Sequence, residues 1–372
     1  MKMAYTFVYV FLSAVGVFCG TGFSEVLQPG FVQETLSEIT GRTRSFGVGM
    51  GDFDGDGIDD ILSGDTYGDV HLLIGAGDGT YSYSGIVVNQ GYHNAYGLAE
   101  GDFNGDGFLD FVLTMRDDFS DADTLILSGE IYLYLGNGDG TFVSYGFPQQ
   151  GLLVGDAGTA SMTVTAGDVD GDNDLDIIAG DVTVSDNGLA DILLYRNMGN
   201  DASGFPVWAA PETIASGVDL GFSPDPESPP YYPPESATSL HAYGLSLGDL
   251  DGDGDEDLAV TDIASYLYIY QNDGSGVFSP LRYNNISTGT RPYAYSRVHN
   301  TFTSQLAVKC GDLNGDGLVD LVFGGSAGTW DGAVELWLND GVDGSGRPVF
   351  VSAGTVGSGG TDARGLAVGQ VN

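Results

Sequence analysis

Basic residues are scarce in this sequence. Eleven Lys and Arg face 52 Asp and Glu across 372 residues, the formal charge is −41, and Lys2 and Lys309 are the only lysines. Such an acidic surface repels phosphate backbones and anionic headgroups, which argues against nucleic acid and anionic membranes as partners. Cysteine is equally rare, with Cys19 and Cys310 alone. Cys19 falls in an N-terminal leader that cleavage would remove, so no intrachain disulfide is expected. The four histidines, His71, His93, His241 and His299, are scattered. No His-Glu-x-x-His helix, Gly-x-Ser-x-Gly elbow or phosphate loop occurs. Helix-type periodicity is hard to find. A carboxylate pair for glycoside hydrolysis stays open, because such pairs are set by spatial separation rather than by sequence.

Glycine, by contrast, is abundant at 60 residues, and much of it lies beside Asp. One nine-residue pattern recurs five times, with oxygen-bearing side chains at positions 1, 3, 5 and 9. These are Asp52, Asp54, Asp56 and Asp60; Asp102, Asn104, Asp106 and Asp110; Asp168, Asp170, Asp172 and Asp176; Asp249, Asp251, Asp253 and Asp257; and Asp312, Asn314, Asp316 and Asp320. A tight loop gathers positions 1, 3 and 5 on one side, and a small residue at position 6 permits the turn. Clustered carboxylates repel one another unless a cation intervenes. With no His or Cys in any copy, the donor set suits calcium and not zinc, giving about five Ca2+ ions.

An EF-hand would need a Glu at position 12 and flanking helices. Here position 12 is Ser63, Leu113, Ala179, Val260 and Phe323. The flanks are short apolar runs such as Ile61-Leu62 and Phe111-Val112-Leu113, bounded by Gly or Thr, as buried strands are. Each loop is thus the turn of a strand–loop–strand hairpin. Two further strands follow in every unit, the last expected at Thr80 to Tyr83, Thr141-Phe142, Phe205, Val277-Phe278 and Val349-Phe350. Loop starts are 50, 66, 81 and 63 residues apart. Four strands at that period make a β-propeller blade, which must stack on neighbours to bury its faces. The expected fold is therefore all-β, a propeller with five clear repeats and the start of a sixth. That start is Gly365 to Asn372, where Gln370 takes position 1. It reads as a ring cut short; the competing reading closes the ring against residues 25–44.

Residues 1–24 have the charge, apolar run and small residues of a secretory signal peptide, with an uncleaved anchor as the competing reading. Residues 25–44 are a lead-in, and the repeats fill 45–372. Cleavage leaves no membrane insertion and a secreted or cell-surface protein. A Pro-rich insertion spans 206–240, and an excursion from Arg116 to Ser128 carries Asp117, Asp118, Asp121 and Asp123.

The Gly-Asp-Phe-Asn-Gly-Asp-Gly core (Gly101 to Gly107), the Phe46-Gly47 and Tyr96-Gly97 type strands and the Asn-Gly-Asp-Gly-Thr-Phe hairpin (Asn137 to Phe142) resemble FG-GAP/VCBS repeats, the blades of integrin-α-like propellers. The resemblance covers about residues 45–372. It implies metal at positions 1, 3, 5 and 9 plus the carbonyl of position 7, here Ile58, Phe108, Asp174, Asp255 and Leu318. Asn173 departs from the usual Gly at position 6 but tolerates the left-handed backbone. Relatives of this kind serve as adhesion heads, lectins and frameworks of polysaccharide-degrading enzymes. The function expected here is a non-catalytic adhesion or binding module for a glycan or an extracellular protein. The alternatives are a lyase or hydrolase scaffold and a structural spacer.

Overall fold

The computed structural model describes residues 4–11, 14–20, 31–36, 45–65, 67–89, 94–116, 129–143, 151–156, 161–181, 191–216, 242–262, 266–281, 296–297, 304–327, 331–358 and 363–371. Among them there is no helix. The N-terminal part supplies β1 (Ala4–Phe11), β2 (Ala14–Gly20) and β3 (Phe31–Leu36). Blade 1 then orders β4 (Ser45–Gly51), β5 (Asp60–Asp65), β6 (Asp69–Gly75) and β7 (Tyr81–Asn89). Blade 2 has β8 (Asn94–Gly101), β9 (Asp110–Arg116), β10 (Glu130–Tyr134) and β11 (Leu152–Asp156). Blade 3 has β12 (Ser161–Gly167), β13 (Asp176–Asp181) and β14 (Asp191–Tyr195), then a side ribbon of β15 (Asn197–Asn200) and β16 (Pro206–Trp208), and β17 (Glu212–Ser216) as its outer strand. Blade 4 has β18 (Ala242–Gly248), β19 (Asp257–Asp262), β20 (Tyr266–Asn272) and β21 (Phe278–Pro280), with β22 (Ser296–Arg297) also on β20. Blade 5 has β23 (Ser304–Gly311), β24 (Asp320–Ala327), β25 (Asp331–Val342) and β26 (Pro348–Ser358). All pairings are antiparallel, so each blade is a four-stranded meander.

The innermost strands follow one another around an axis in the order β4, β8, β12, β18, β23 and then β27 (Ala363–Val371), which returns to β4. The expected sixth start is therefore not a lone strand. β27 pairs with β1, and β1, β2 and β3 complete a sixth four-stranded sheet. Residues 4–11 and 14–20 thus contribute two strands to the sheet that lies between blade 5 and blade 1.

Two outer strands differ from expectation. Thr141-Phe142 forms only an isolated bridge, Phe142 to Gly136, and β11 takes the outer edge of blade 2. In blade 3, Phe205 leads into the side ribbon, and β17 is the outer strand. The Pro-rich insertion accordingly begins with two strands; residues 217–241 lie outside the described part.

Packing explains the near-continuous apolar runs after each loop. A blade is covered on both faces, so neighbouring residues on one strand serve different cores. Ile61 and Leu73 share a cluster with Ala367 of β27, whereas Leu62 and Leu72 share one with Phe111 and Tyr134 of blade 2. Position 2 of each loop is a plug between its own blade and the next. Phe53, Phe103, Val169, Leu250 and Leu313 are all buried in such shared clusters. At the axis, the glycine of the inner strand permits backbone-to-backbone approach. A Cβ on Gly244 would sit 2.8 Å from the Val308 nitrogen, and one on Gly97 3.0 Å from Thr163 Cα.

The plug is open to a direct check by denaturant unfolding. Phe103 is 1% exposed and Phe108, in the same loop, 45%. Phe103→Ala should cost about 3–5 kcal/mol and Phe108→Ala under about 0.5 kcal/mol. Similar losses for the two would contradict the packing described.

Candidate metal centres

Each loop is built around its first Asp. Asp52 Oδ1 accepts the N–H groups of Gly55 (2.7 Å) and Asp56 (3.0 Å), and Oδ2 accepts that of Gly57 (2.9 Å). Asp168 does the same with Gly171, Asp172 and Asn173, and Asp312 with Gly315, Asp316 and Gly317. Asp102 and Asp249 hold two N–H groups each. Position 5 in turn holds position 7. Asp56, Asp106, Asp172, Asp253 and Asp316 accept the N–H of Ile58, Phe108, Asp174, Asp255 and Leu318 at 2.9–3.1 Å. Position 6 has positive φ throughout, and Asn173 at 72° is the one non-glycine among the described residues that does so. The departure in the third copy therefore leaves the loop shape intact.

The carboxylates converge. One oxygen from each of Asp52, Asp54 and Asp60 lies within 4.8 Å of the others, as holds for Asp168, Asp170 and Asp172 and for Asp249, Asp251 and Asp257. In the second and fifth loops Asn104 and Asn314 turn their amides onto Asp106 Oδ2 (3.0 Å) and Asp316 Oδ2 (2.9 Å). Position 3 also meets neighbours in the third and fourth loops. Arg196 Nη1 lies 2.6 Å from Asp170 Oδ2, and Gln271 Nε2 donates to Asp251 Oδ2. Asp170 Oδ1 is buried with no hydrogen-bond partner.

Position 9 has a role beyond the one expected from sequence. Asp60, Asp110, Asp176, Asp257 and Asp320 are fully buried. One oxygen of each accepts the N–H of position 2, at 2.9–3.3 Å. The other accepts the N–H of a residue near the end of the third strand, namely Gly75, Gly136, Asn197, Asn272 or Asn339, at 2.8–3.0 Å. The acid thereby staples loop, second strand and third strand together. Burial, with neighbouring carboxylates adding to it and these backbone bonds opposing it, pushes Asp110, Asp176 and Asp257 up to about 7 and Asp60 and Asp320 to about 6. A divalent cation beside them would favour the ionised form. An all-oxygen, strongly anionic donor set of this kind fits a hard cation such as calcium.

Sequence reasoning missed the ties between blades. Asn197 Nδ2 donates to the Phe103 carbonyl (3.0 Å), Asn272 Nδ2 to that of Val169 (2.8 Å) and Asn339 Nδ2 to that of Leu250 (2.9 Å). In blade 2 the Gly140 N–H takes this part, on the Phe53 carbonyl (2.9 Å). In these four loops position 2 thus anchors the loop to the following blade with its carbonyl as well as its side chain. The signal was an Asn near the end of the third strand, readable only as hairpin chemistry.

A different cluster closes the β5–β6 turn. His71 bridges Asp65 Oδ2 (3.1 Å from Nε2) and the Tyr83 hydroxyl (3.1 Å from Nδ1), and Asp65 Oδ1 accepts the N–H groups of Tyr67 and Asp69. Its ring nitrogens and Asp65 are engaged in holding the turn. His93, His241, His299 and the acids at 117, 118, 121 and 123 lie outside the described residues. Cys310 is a free thiol, pushed up to about 12 by burial, and so is unreactive at neutral pH.

Comparison with known proteins follows this geometry. A family model described as FG-GAP-like repeat matches residues 35–113, 120–179 and 249–298, half of the chain. No curated protein matches. Among solved structures, an arginine triple mutant of AofleA from Arthrobotrys oligospora aligns over 98% of this chain and 91% of its own, at 11% identity and TM-score 0.49. A lectin from Burkholderia pseudomallei aligns over 96% and 80%, at 14% identity and TM-score 0.47. The Aleuria aurantia lectin, described as six-bladed, aligns over 92% and 88%, at 11% identity and TM-score 0.45.

The raised carboxyls predict a pH response of the metal-free protein. Their folded values exceed the ordinary 3.8, so between about pH 4 and 7 the folded state holds protons that the unfolded chain has released. That contribution to stability is present at the acid end of the window and is lost as pH rises through 6 to 7. In chelator, the melting temperature should fall from pH 5 to pH 8, and saturating calcium should flatten or reverse the trend. A metal-free melting temperature that climbs over this range would contradict the assignment.

Proposed function

Because the chain belongs to the FG-GAP-like repeat family, we propose that it is a secreted calcium-binding propeller acting as a non-catalytic binding module. One observation carries the calcium reading: five loops share one build with a fully buried position-9 acid, carboxylate oxygens converge within 4.8 Å in three of them, and Arg196 is the one cation that meets them among the described residues. Positions 1, 3, 5 and 9 would hold the ion, with the position 7 carbonyl completing the set. Calcium supplies charge neutralisation there, not chemistry on a substrate. Residues 1–24, read as a secretory leader, would direct export to a compartment rich in calcium, and their cleavage would take β1 and β2 from the sixth sheet.

The placement of the connections supports binding. In a meander of antiparallel strands, successive turns alternate between two ends of the blade. The calcium loops and the outer hairpins share one end. Strands β9, β17 and β21 finish at the other end. Connections of variable length on both rims, the longest between β17 and β18, suit a recognition surface carried on a fixed ring. The partner class is a glycan or an extracellular protein.

Isothermal titration should find about five calcium sites, and at millimolar calcium each saturated site should add on the order of 1 kcal/mol to stability. Chelation should then lower the melting temperature by many degrees. Asp102→Ala should speed hydrogen exchange in the β8–β9 hairpin and also in the β15–β16 ribbon, which is tied to that loop through Asn197. A melting curve indifferent to chelator would overturn the calcium reading. Glycan-array and cell-surface capture experiments, with and without calcium, test the partner class; binding to neither would count against a recognition role.

A further inference from the structure

The five loops are not electrostatically equal. The residue just before the backbone N–H that binds position 9 is Ile74 in blade 1, Leu135 in blade 2, Arg196 in blade 3, Gln271 in blade 4 and Leu338 in blade 5. Only blade 3 places a cation there. Arg196 Nη1 lies 2.6 Å from Asp170 Oδ2, and Asp170 is the position 3 ligand of the third loop. The guanidinium is not free to swing away. Nε pairs with Glu212 of β17 at 3.2 Å, Nη2 donates to the Gly276 carbonyl of blade 4 at 3.3 Å, and the side chain is 15% exposed. The other oxygen of Asp170 is buried and makes no hydrogen bond, so one face of this carboxylate serves the arginine and the other is left for an ion.

We propose that Arg196 is a fixed competing cation that lowers the calcium affinity of the third loop. The inference rests on the calcium reading above. A guanidinium held on a ligand oxygen withdraws part of that ligand's charge and repels the incoming ion. It cannot be titrated away, because arginine stays protonated at any working pH. Blade 4 shows the uncharged version of the same contact, with Gln271 on Asp251. Arg196 also links the third loop to blade 4, so the occupancy of this loop alone is tied to a charge that bridges two blades. The loop would fill at higher calcium than it would with a neutral residue in that place.

Calcium titration of the full chain by calorimetry tests this, with far-UV circular dichroism confirming the fold of each variant. Arg196→Gln, which copies blade 4, should tighten one equivalent of calcium about tenfold, the scale expected for one charge beside a part-buried ion. Arg196→Lys, which keeps the charge but not the fork that pins it, should bind calcium between wild type and Arg196→Gln. In an Asp168→Asn background, where the third loop is disabled, Arg196→Gln should change nothing, which locates the effect. An isotherm for Arg196→Gln that overlays wild type, or a shift that persists in the Asp168→Asn background, would overturn the proposal while leaving the calcium sites standing. A wild-type chain that takes up no calcium would remove the calcium reading, and this inference with it.

Discussion

A carboxylate that water does not reach holds every blade. Asp110 makes the case clearly: it is fully buried, accepts the Phe103 N–H with one oxygen and the Gly136 N–H with the other, and so joins the loop to the third strand of the same sheet. An Asp in that place is costly unless its oxygens are satisfied and its charge is offset. Two backbone donors meet the first requirement. Nothing in the blade's own core meets the second, since the surrounding residues are apolar or acidic. Protonation of the carboxyl, pushed up to about 7 by burial, or a bound cation would meet it.

The loop is also an interface. Its position 2 side chain is buried between two blades, and in four of the five loops the position 2 carbonyl is taken by the following blade. Whatever stiffens the loop consequently stiffens a junction, and a ring of junctions resists opening more than a row of independent hairpins does. This matters for a chain with no disulfide among its described residues and a large excess of negative charge. Self-repulsion favours expansion. The ties between blades act against it at the places where the charge is densest.

The loops and the two strands flanking each of them were legible in the sequence because they depend on local spacing. Asp at positions 1, 5 and 9 with a left-handed residue at 6 specifies a turn whatever surrounds it, and Asn173 kept that turn without a glycine. Outer strands were less legible. Thr141-Phe142 has the composition of a strand but forms only the Phe142–Gly136 bridge, and β11 comes from further along the chain. Edge strands are selected by what they pair with, a non-local property. The Asn clamps were hidden for the same reason, since their acceptors lie about 90 to 100 residues away. Ring closure by β27 against β1 joins the two ends of the sequence, which no local window can show.

Five copies of one motif have not stayed equal, and the differences sit at position 3. That position is Asp54 in the first loop, an Asn whose amide faces its own loop in the second and fifth, and an Asp engaged by Arg196 or Gln271 in the third and fourth. Positions 1 and 9 show no such variety, because each holds two or three backbone N–H groups and its loss would unravel the turn. Position 3 accepts at most one backbone N–H, that of position 5, so it is free to change charge without changing shape. The scaffold thus separates residues that fold the loop from the residue that sets its electrostatics. A ring of repeats can in this way hold one architecture while its sites diverge in affinity, each by a substitution that touches only a single carboxylate.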